Sequence, residues 1–302
     1  MNKKTLVIGW FSFELMGTTA GDSIARDVAC DWLRKVGVEP DVAMWEPREA
    51  NEIQTNQINP ASYGTVVFVC GPIGDGPPLN TFLDRFPHAR KVALNVSLLQ
   101  ERSEWNPFVA IFERDSSERV TPDLTFAAQD RRVPVAGLIL VGPQEEYPTE
   151  RHDLAQSMME DILKARDVAV VPIDTRLDIN KNGLRSPAQI ESLIAKMDIV
   201  FTTRLHGAVI SLRRHVPPVV IDSIPGGTKL YKQMKRIGWP LAFHTGDLDR
   251  KQVEEAFDYA LTEAARQEAI KCAAAAREEL QQLERDFLQA FQGELSQARS
   301  GT

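Results

Sequence analysis

The sequence predicts an α/β protein built as two Rossmann-like lobes followed by a long helical C-terminal segment. Three observations carry this. Short runs rich in Val and Ile recur, each followed by a polar loop and a segment of helical spacing. The length, 302 residues, suits two domains at about 100–200 residues each. From about Asp249 onward the apolar residues settle into a three-to-four spacing.

The first unit runs from an expected strand at Leu6–Ile8 through a loop to Gly21. A helix is then expected from about Asp22 to Lys35, presenting Ile24, Val28, Trp32 and Leu33. Val42–Trp45, Thr65–Cys70 and Val92–Val96 are the next strands in order. The charged stretch Asp130-Arg-Arg-Val-Pro134 closes this half and precedes a fresh strand, Gly137–Val141, which marks a domain boundary. The second half repeats the rhythm with a helix at His152–Lys164, a strand at Val168–Pro172 and a helix at Pro187–Lys196. Strand Asp198–Thr202, another helix and strand Pro218–Ile221 follow. The expected parts are therefore a lobe over residues 1–130, a lobe over 131–248 and a helical segment over 249–302, with a ligand cleft between the lobes. In the last part, Val253, Phe257, Leu261, Leu280, Leu283, Phe287 and Phe291 read as a face packing on the lobes, with a partner-binding coiled coil as the alternative. The sequence shows no repeat of fixed period.

Composition excludes several classes. With 43% hydrophobic and 25% charged residues, the chain can bury a large core and is neither a disordered nor a collagen-like sequence. The net charge of −7 is spread along the chain without long runs of one sign, which speaks against a dedicated nucleic-acid binder. Cys30, Cys70 and Cys272 are odd in number and widely spaced, so reduced, buried thiols are expected in place of cystines or a zinc site. The first apolar run stops at Gly9-Trp10, short of the roughly 7–15 residues of a signal sequence. No run approaches the roughly 18 residues of a membrane span. The expectation is a soluble cytoplasmic protein, and the sequence leaves an oligomer open.

The most informative stretch follows the strand ending near Thr203. Arg204-Leu-His-Gly207 occupies a strand-to-helix turn, with Ala208, Val209, Ile210 and Leu212 beginning the helix. In an open parallel sheet such a turn lies on the carboxyl edge, where sites form. The amides of the helix's first turn attract anions, and Gly207 would let a ligand approach the backbone closely. Arg204 offers a planar fork for a phosphate or carboxylate, and His206 can exchange protons near neutral pH. The alternative is structural: Arg204 in an ion pair and His206 capping or buried.

Other residues carry weaker signals. Asp22 opens a helix, where an N-cap is the common reason for Asp. Arg114, Asp115 and Ser116 read equally as a turn held by the Asp side chain. Gly71, Gly74 and Gly76 lack the spacing of a dinucleotide fingerprint. His88, His152, His215 and His244 show no metal-ligand spacing. Asp247-Leu-Asp249 imitates a metal-binding pair but precedes a helix, so capping explains it better, and no metal is expected.

Several of these features, in order, resemble the polysaccharide pyruvyl transferase family. They are Thr203-Arg-Leu-His-Gly207, Pro218-Val-Val-Ile-Asp222, Lys229 and Ile237-Gly238, with Gly21-Asp22, Arg114-Asp115-Ser116 and Asp123-Leu-Thr-Phe126 upstream. The family's Gly-Gly pair after the third strand stands here as Cys70-Gly-Pro-Ile-Gly74. The resemblance implies GT-B-like lobes, the first on the acceptor side and the second on the donor side. The enzyme would transfer pyruvate from phosphoenolpyruvate to a hydroxyl pair of a cell-envelope sugar, free or lipid-linked, with no separate cofactor. It would place His206 as the acid, Arg204 and Lys229 on the anionic groups, and Asp22 as the base or acceptor ligand. Gly207, Gly21, Arg114, Ser116 and Gly71 join the substrate-binding set. Two other readings stay open: a nucleotide-sugar glycosyltransferase, and a non-catalytic binding protein that keeps the fold.

Overall fold

The structure, a computed structural model, describes residues 3–14, 16–116, 119–142 and 151–300, with side chains as far as residue 290. Its chain divides into two units, Met1–Arg131 and Arg132–Thr302.

In the first unit the elements are β1 (Lys4–Ile8), α1 (Ala20–Arg34), β2 (Asp41–Met44), β3 (Glu52–Gln54), β4 (Tyr63–Ile73), α2 (Leu79–Leu83), β5 (Arg90–Leu98) and β6 (Ala110–Asp115). The strands form one parallel sheet in the order β3-β2-β1-β4-β5-β6. The central strand β1 buries Leu6, Val7 and Ile8 completely, as a strand covered on both faces must. β3 and β6 escape a reading by apolar runs: one is three residues long, and the other carries Glu113, Arg114 and Asp115.

Helix α1 begins two residues earlier than expected, because Thr19 and not Asp22 is its N-cap. Its core face also differs. Ala25, Val28, Ala29 and Cys30 are buried, whereas Ile24 and Trp32 are exposed. Small side chains let the helix lie close on the sheet, and the larger residues are left at its flanks.

The second unit comprises β7 (Val135–Ile139), α3 (His152–Lys164), β8 (Ala169–Pro172), α4 (Pro187–Ile194), β9 (Ile199–Thr202), α5 (Leu205–Arg213), β10 (Pro218–Asp222), α6 (Lys229–Arg236), β11 (Ala242–His244), α7 (Arg250–Ala260) and α8 (Glu263–Ser300). Its parallel sheet has the order β11-β10-β9-β7-β8. All residues of β9 and β10 are buried, and Pro218 sits at the first position of its strand, where a missing N–H is tolerated. The core gathers Met159, Phe201, Leu212, Trp239 and Phe257.

Helix α8 packs on α5 and α7 through Ala265, Ala269, Cys272 and Ala273. Beyond that stretch Leu280, Leu283 and Phe287 are exposed, so they do not pack on the lobes as the spacing suggested. Phe291 lies outside the described side chains. Among the described residues no helix is long and apolar enough to cross a membrane, and Cys30, Cys70 and Cys272 are free and buried.

Candidate functional site

Strand order opens a candidate site in the second unit. Counting its strands from β7, the order is the doubly wound 2-1-3-4-5, which reverses direction between β7 and β9. Loops leaving those two strands part, and a crevice opens at their carboxyl ends. A cavity of about 630 Å³ lies there. Val141 after β7, Thr203, Arg204 and His206 after β9, and Ser223 and Lys229 after β10 are on its wall.

Two threonines fix the turn that carries Arg204. Thr202 Oγ1 accepts a hydrogen bond from the Arg204 N–H at 2.9 Å and donates to the Arg204 carbonyl oxygen at 3.2 Å. Thr203 Oγ1 accepts from the Val141 N–H at 2.8 Å and ties the turn to the neighbouring loop. Arg204 is the extended N-cap residue of α5, and no side chain caps that helix. Its first-turn amides therefore keep their capacity for an anion.

Arg204 takes part in no ion pair among the described residues. Its Nη1 donates to Thr175 Oγ1 at 3.0 Å, and its Nε is buried without a partner. His206 is exposed at the second residue of α5, neither buried nor a cap. Gly207 also serves packing: a Cβ there would stand 2.6 Å from Thr202 Oγ1 and 2.9 Å from Ile139 Cγ2, so only glycine lets α5 lie this close on the sheet.

Lys229 enters the cavity wall through a knotted loop. The buried Asp222 carboxylate accepts hydrogen bonds from the N–H groups of Ile224 (3.1 Å), Thr228 (2.7 Å) and Tyr231 (3.1 Å), and from Thr228 Oγ1. Asp222 thus caps α6 from the end of β10, which occupies that helix N-terminus with an internal anion. Gly226 and Gly227 adopt positive φ to bring the loop back.

The remaining sequence candidates belong to the first unit. That sheet has the order 3-2-1-4-5-6 and reverses between β1 and β4, where a cavity of about 580 Å³ is lined by Trp10, Met16, Asp22, Gly71, Leu79 and Leu99. Gly71, at φ 93°, leaves room for the Trp10 ring, since a Cβ would lie 2.4 Å from its Cδ1. Asp22 is the third residue of α1 and closes a capping box: its Oδ2 accepts from the Thr19 N–H and from Thr19 Oγ1, both at 2.8 Å. Burial first, and then this neighbouring carboxylate, pushes the Cys70 thiol up to about 11, so it is protonated at neutral pH. A Cβ on Gly21, beside Asp22, would meet Thr19 Oγ1 at 3.5 Å.

Arg114 and Ser116 line neither of these cavities. Arg114 donates to Asp123 Oδ2 at 3.0 Å, to Ser97 Oγ at 2.7 Å and to Asp115 Oδ2 at 3.2 Å, a network that also takes in Asn95. Ser116 lies on a smaller cavity of about 220 Å³ and accepts the Arg119 N–H at 3.0 Å. Among the described residues no cluster of His, Cys, Asp or Glu could hold a metal ion. Asp249 caps α7 through the Gln252 N–H at 2.9 Å.

Arg204, His206 and the strand Pro218–Asp222 lie in a segment with a recognisable family. Residues 119–224 match the polysaccharide pyruvyl transferase family model. The matched segment is about a third of the chain and supports a glycan-modifying enzyme; Lys229, Asp22, Gly21, Gly71, Arg114 and Ser116 fall outside it. No curated protein matches the chain. Among solved structures, a UDP-GlcNAc 2-epimerase from Methanocaldococcus jannaschii is 11% identical with a TM-score of 0.31, covering 86% of this chain and 93% of that one. The spinosyn forosaminyltransferase SpnP is 12% identical with a TM-score of 0.30, covering 92% and 95%. The Escherichia coli ADP-heptose LPS heptosyltransferase II is 12% identical with a TM-score of 0.27, covering 85% and 98%.

Sequence reasoning missed four residues on the cavity beside the Arg204 turn: His152, Arg176, Ser223 and Thr228. His152 opens α3, Arg176 follows β8 and the other two follow β10, and the strand order β10-β9-β7-β8 unites them. A signal existed for Thr228 and Ser223, which follow a strand end as Arg204 does.

Proposed function

We propose that the chain is a polysaccharide pyruvyl transferase-like enzyme that moves pyruvate from phosphoenolpyruvate onto two hydroxyls of a cell-envelope glycan or its precursor. The observation that carries this reading is the Arg204–Gly207 turn: an uncapped helix N-terminus with a cation and an imidazole on one cavity, inside the segment that matches the family. Phosphoenolpyruvate bears a phosphate and a carboxylate, and Arg204, Lys229 and the first amides of α5 offer charge and N–H donors for both.

In this reading His206, as imidazolium, gives its proton to the methylene carbon, which becomes the methyl group. One sugar hydroxyl oxygen bonds to the neighbouring carbon and its proton returns to the imidazole. The second hydroxyl oxygen then displaces phosphate from that carbon, closing the ketal, and its proton leaves with the phosphate. Arg204 and Lys229 stabilise the charge on the departing phosphate. Asp22, Gly21 and Gly71 belong to the acceptor side in the first unit, and Arg114 and Ser116 to the same unit's substrate set. The protein acts in the cytoplasm, without a metal or further cofactor.

The test is phosphate release from phosphoenolpyruvate against a panel of cell-envelope sugars. Release that requires both donor and acceptor is expected. Donor binding with no release for any acceptor would favour a binding protein. Thermal stabilisation by uridine or guanosine diphosphates and not by phosphoenolpyruvate would favour a nucleotide-sugar glycosyltransferase.

A further inference from the structure

Ser223 follows β10 at the carboxyl edge of the second sheet and is 3% exposed. Its backbone is held from two sides: the carbonyl oxygen accepts the Arg151 N–H at 2.7 Å and Thr245 Oγ1 at 2.9 Å. The side chain is treated differently. Ser223 Oγ, on the wall of the cavity that carries Arg204 and Lys229, has no hydrogen-bond partner among the described residues.

The surrounding hydroxyls show that this is not a general property of the region. Thr202 and Thr203 brace the Arg204 turn, Ser211 Oγ donates to the Gly207 carbonyl at 2.7 Å, and Thr228 Oγ1 donates to Asp222. A buried hydroxyl left unpaired is unfavourable. Arg204 Nε on the same wall is likewise buried without a hydrogen-bond partner among the described residues, and it can only donate. A serine hydroxyl can also donate. Both atoms therefore await an acceptor, and oxygen-rich anions supply several.

We infer that Ser223 is a ligand-binding residue whose hydroxyl, with Arg204 Nε, completes an oxyanion site for a phosphate- or carboxylate-bearing ligand. That this ligand is phosphoenolpyruvate rests on the function proposed above; the oxyanion chemistry does not. The hydroxyl fixes the orientation of the anionic group, while the guanidinium supplies its charge.

A Ser223→Ala variant tests this through two readouts of opposite sign. Without ligand, its melting temperature should equal or exceed that of the parent, because an unpaired buried hydroxyl has been removed. With ligand, the dissociation constant for phosphoenolpyruvate should rise about tenfold or more, the size expected for a lost hydrogen bond to a charged group. Inorganic phosphate and pyruvate, each carrying one of the two anionic groups, show which group the hydroxyl holds. Equal affinity of parent and variant for every anion that binds, or a lower melting temperature of the free variant, overturns the proposal. If inorganic phosphate stabilises the parent and phosphoenolpyruvate does not, the donor reading fails, and a phosphate affinity lowered by Ser223→Ala still supports the oxyanion site. Failure of all three anions to bind the parent overturns both.

Discussion

Asp222 Oδ2 accepts the Thr228 backbone N–H at 2.7 Å, and this bond closes the loop between β10 and α6 that delivers Lys229 to the cavity wall. The carboxylate is buried and serves three amides and one hydroxyl at once. Asp222→Ala strands those donors, so a loss of about 3 kcal/mol in urea unfolding is expected. An unchanged midpoint would show that the loop is held by other contacts.

Gly207→Ala sets two effects against each other. Alanine in a helix is favoured over glycine by roughly 1 kcal/mol. The new Cβ, however, would lie 2.6 Å from Thr202 Oγ1, whose hydrogen bonds brace the Arg204 turn. The clash should dominate, with a net destabilisation of about 1–3 kcal/mol. A stabilised variant in chemical denaturation would mean that α5 can slide without cost.

For the proposed activity, His206→Ala is the sharpest substitution. The side chain is exposed, so the unfolding free energy should move by no more than about 0.5 kcal/mol. Loss of a general acid should lower turnover by about 10²–10⁴-fold. Near-normal phosphate release from the variant would remove His206 from the mechanism.

Lys229→Ala should raise the phosphoenolpyruvate dissociation constant by about tenfold at fixed ionic strength. Titration calorimetry reads this directly. An unchanged constant places the lysine outside the anion site.

Asp123 predicts an acid response of the first unit. Burial pushes its carboxyl up, but hydrogen bonds from the Thr125 N–H and hydroxyl, Arg114 and Asn95 outweigh it and hold the group at about 2. Its contribution is therefore fully present above the ordinary value near 4 and is lost as pH falls from about 4 through about 2. Asp123→Asn should be less stable at neutral pH and lose less stability over that window. Parallel curves for parent and variant in pH-resolved thermal unfolding would deny the role.

The sequence made β1, β9 and β10 legible because central parallel strands are continuous apolar runs, and the Arg204 turn legible because it joins such a run to a helix. Glu52–Gln54 and Ala242–His244 were not, since edge strands of three residues carry too little pattern. Ile24 and Trp32 misled because periodicity weights large side chains, whereas Ala25 and Ala29 make the tight contact of α1. The close contact of Gly207 with Thr202 and Ile139 was not legible, because which side of a helix a glycine faces depends on the strand beneath it. Ser223 had no local pattern, and its unused hydroxyl is a property of packing.

Without its three-residue edge strand β3, the first sheet runs β2-β1-β4-β5-β6, the same wiring as β8-β7-β9-β10-β11 in the second. The corner after β9 carries Arg204 and His206, whereas the matching corner after β4 carries Gly74, Asp75 and Gly76. Transplanting function between them would mean moving a whole strand-to-helix corner with the hydroxyls that brace it, because single residues would arrive without their scaffold.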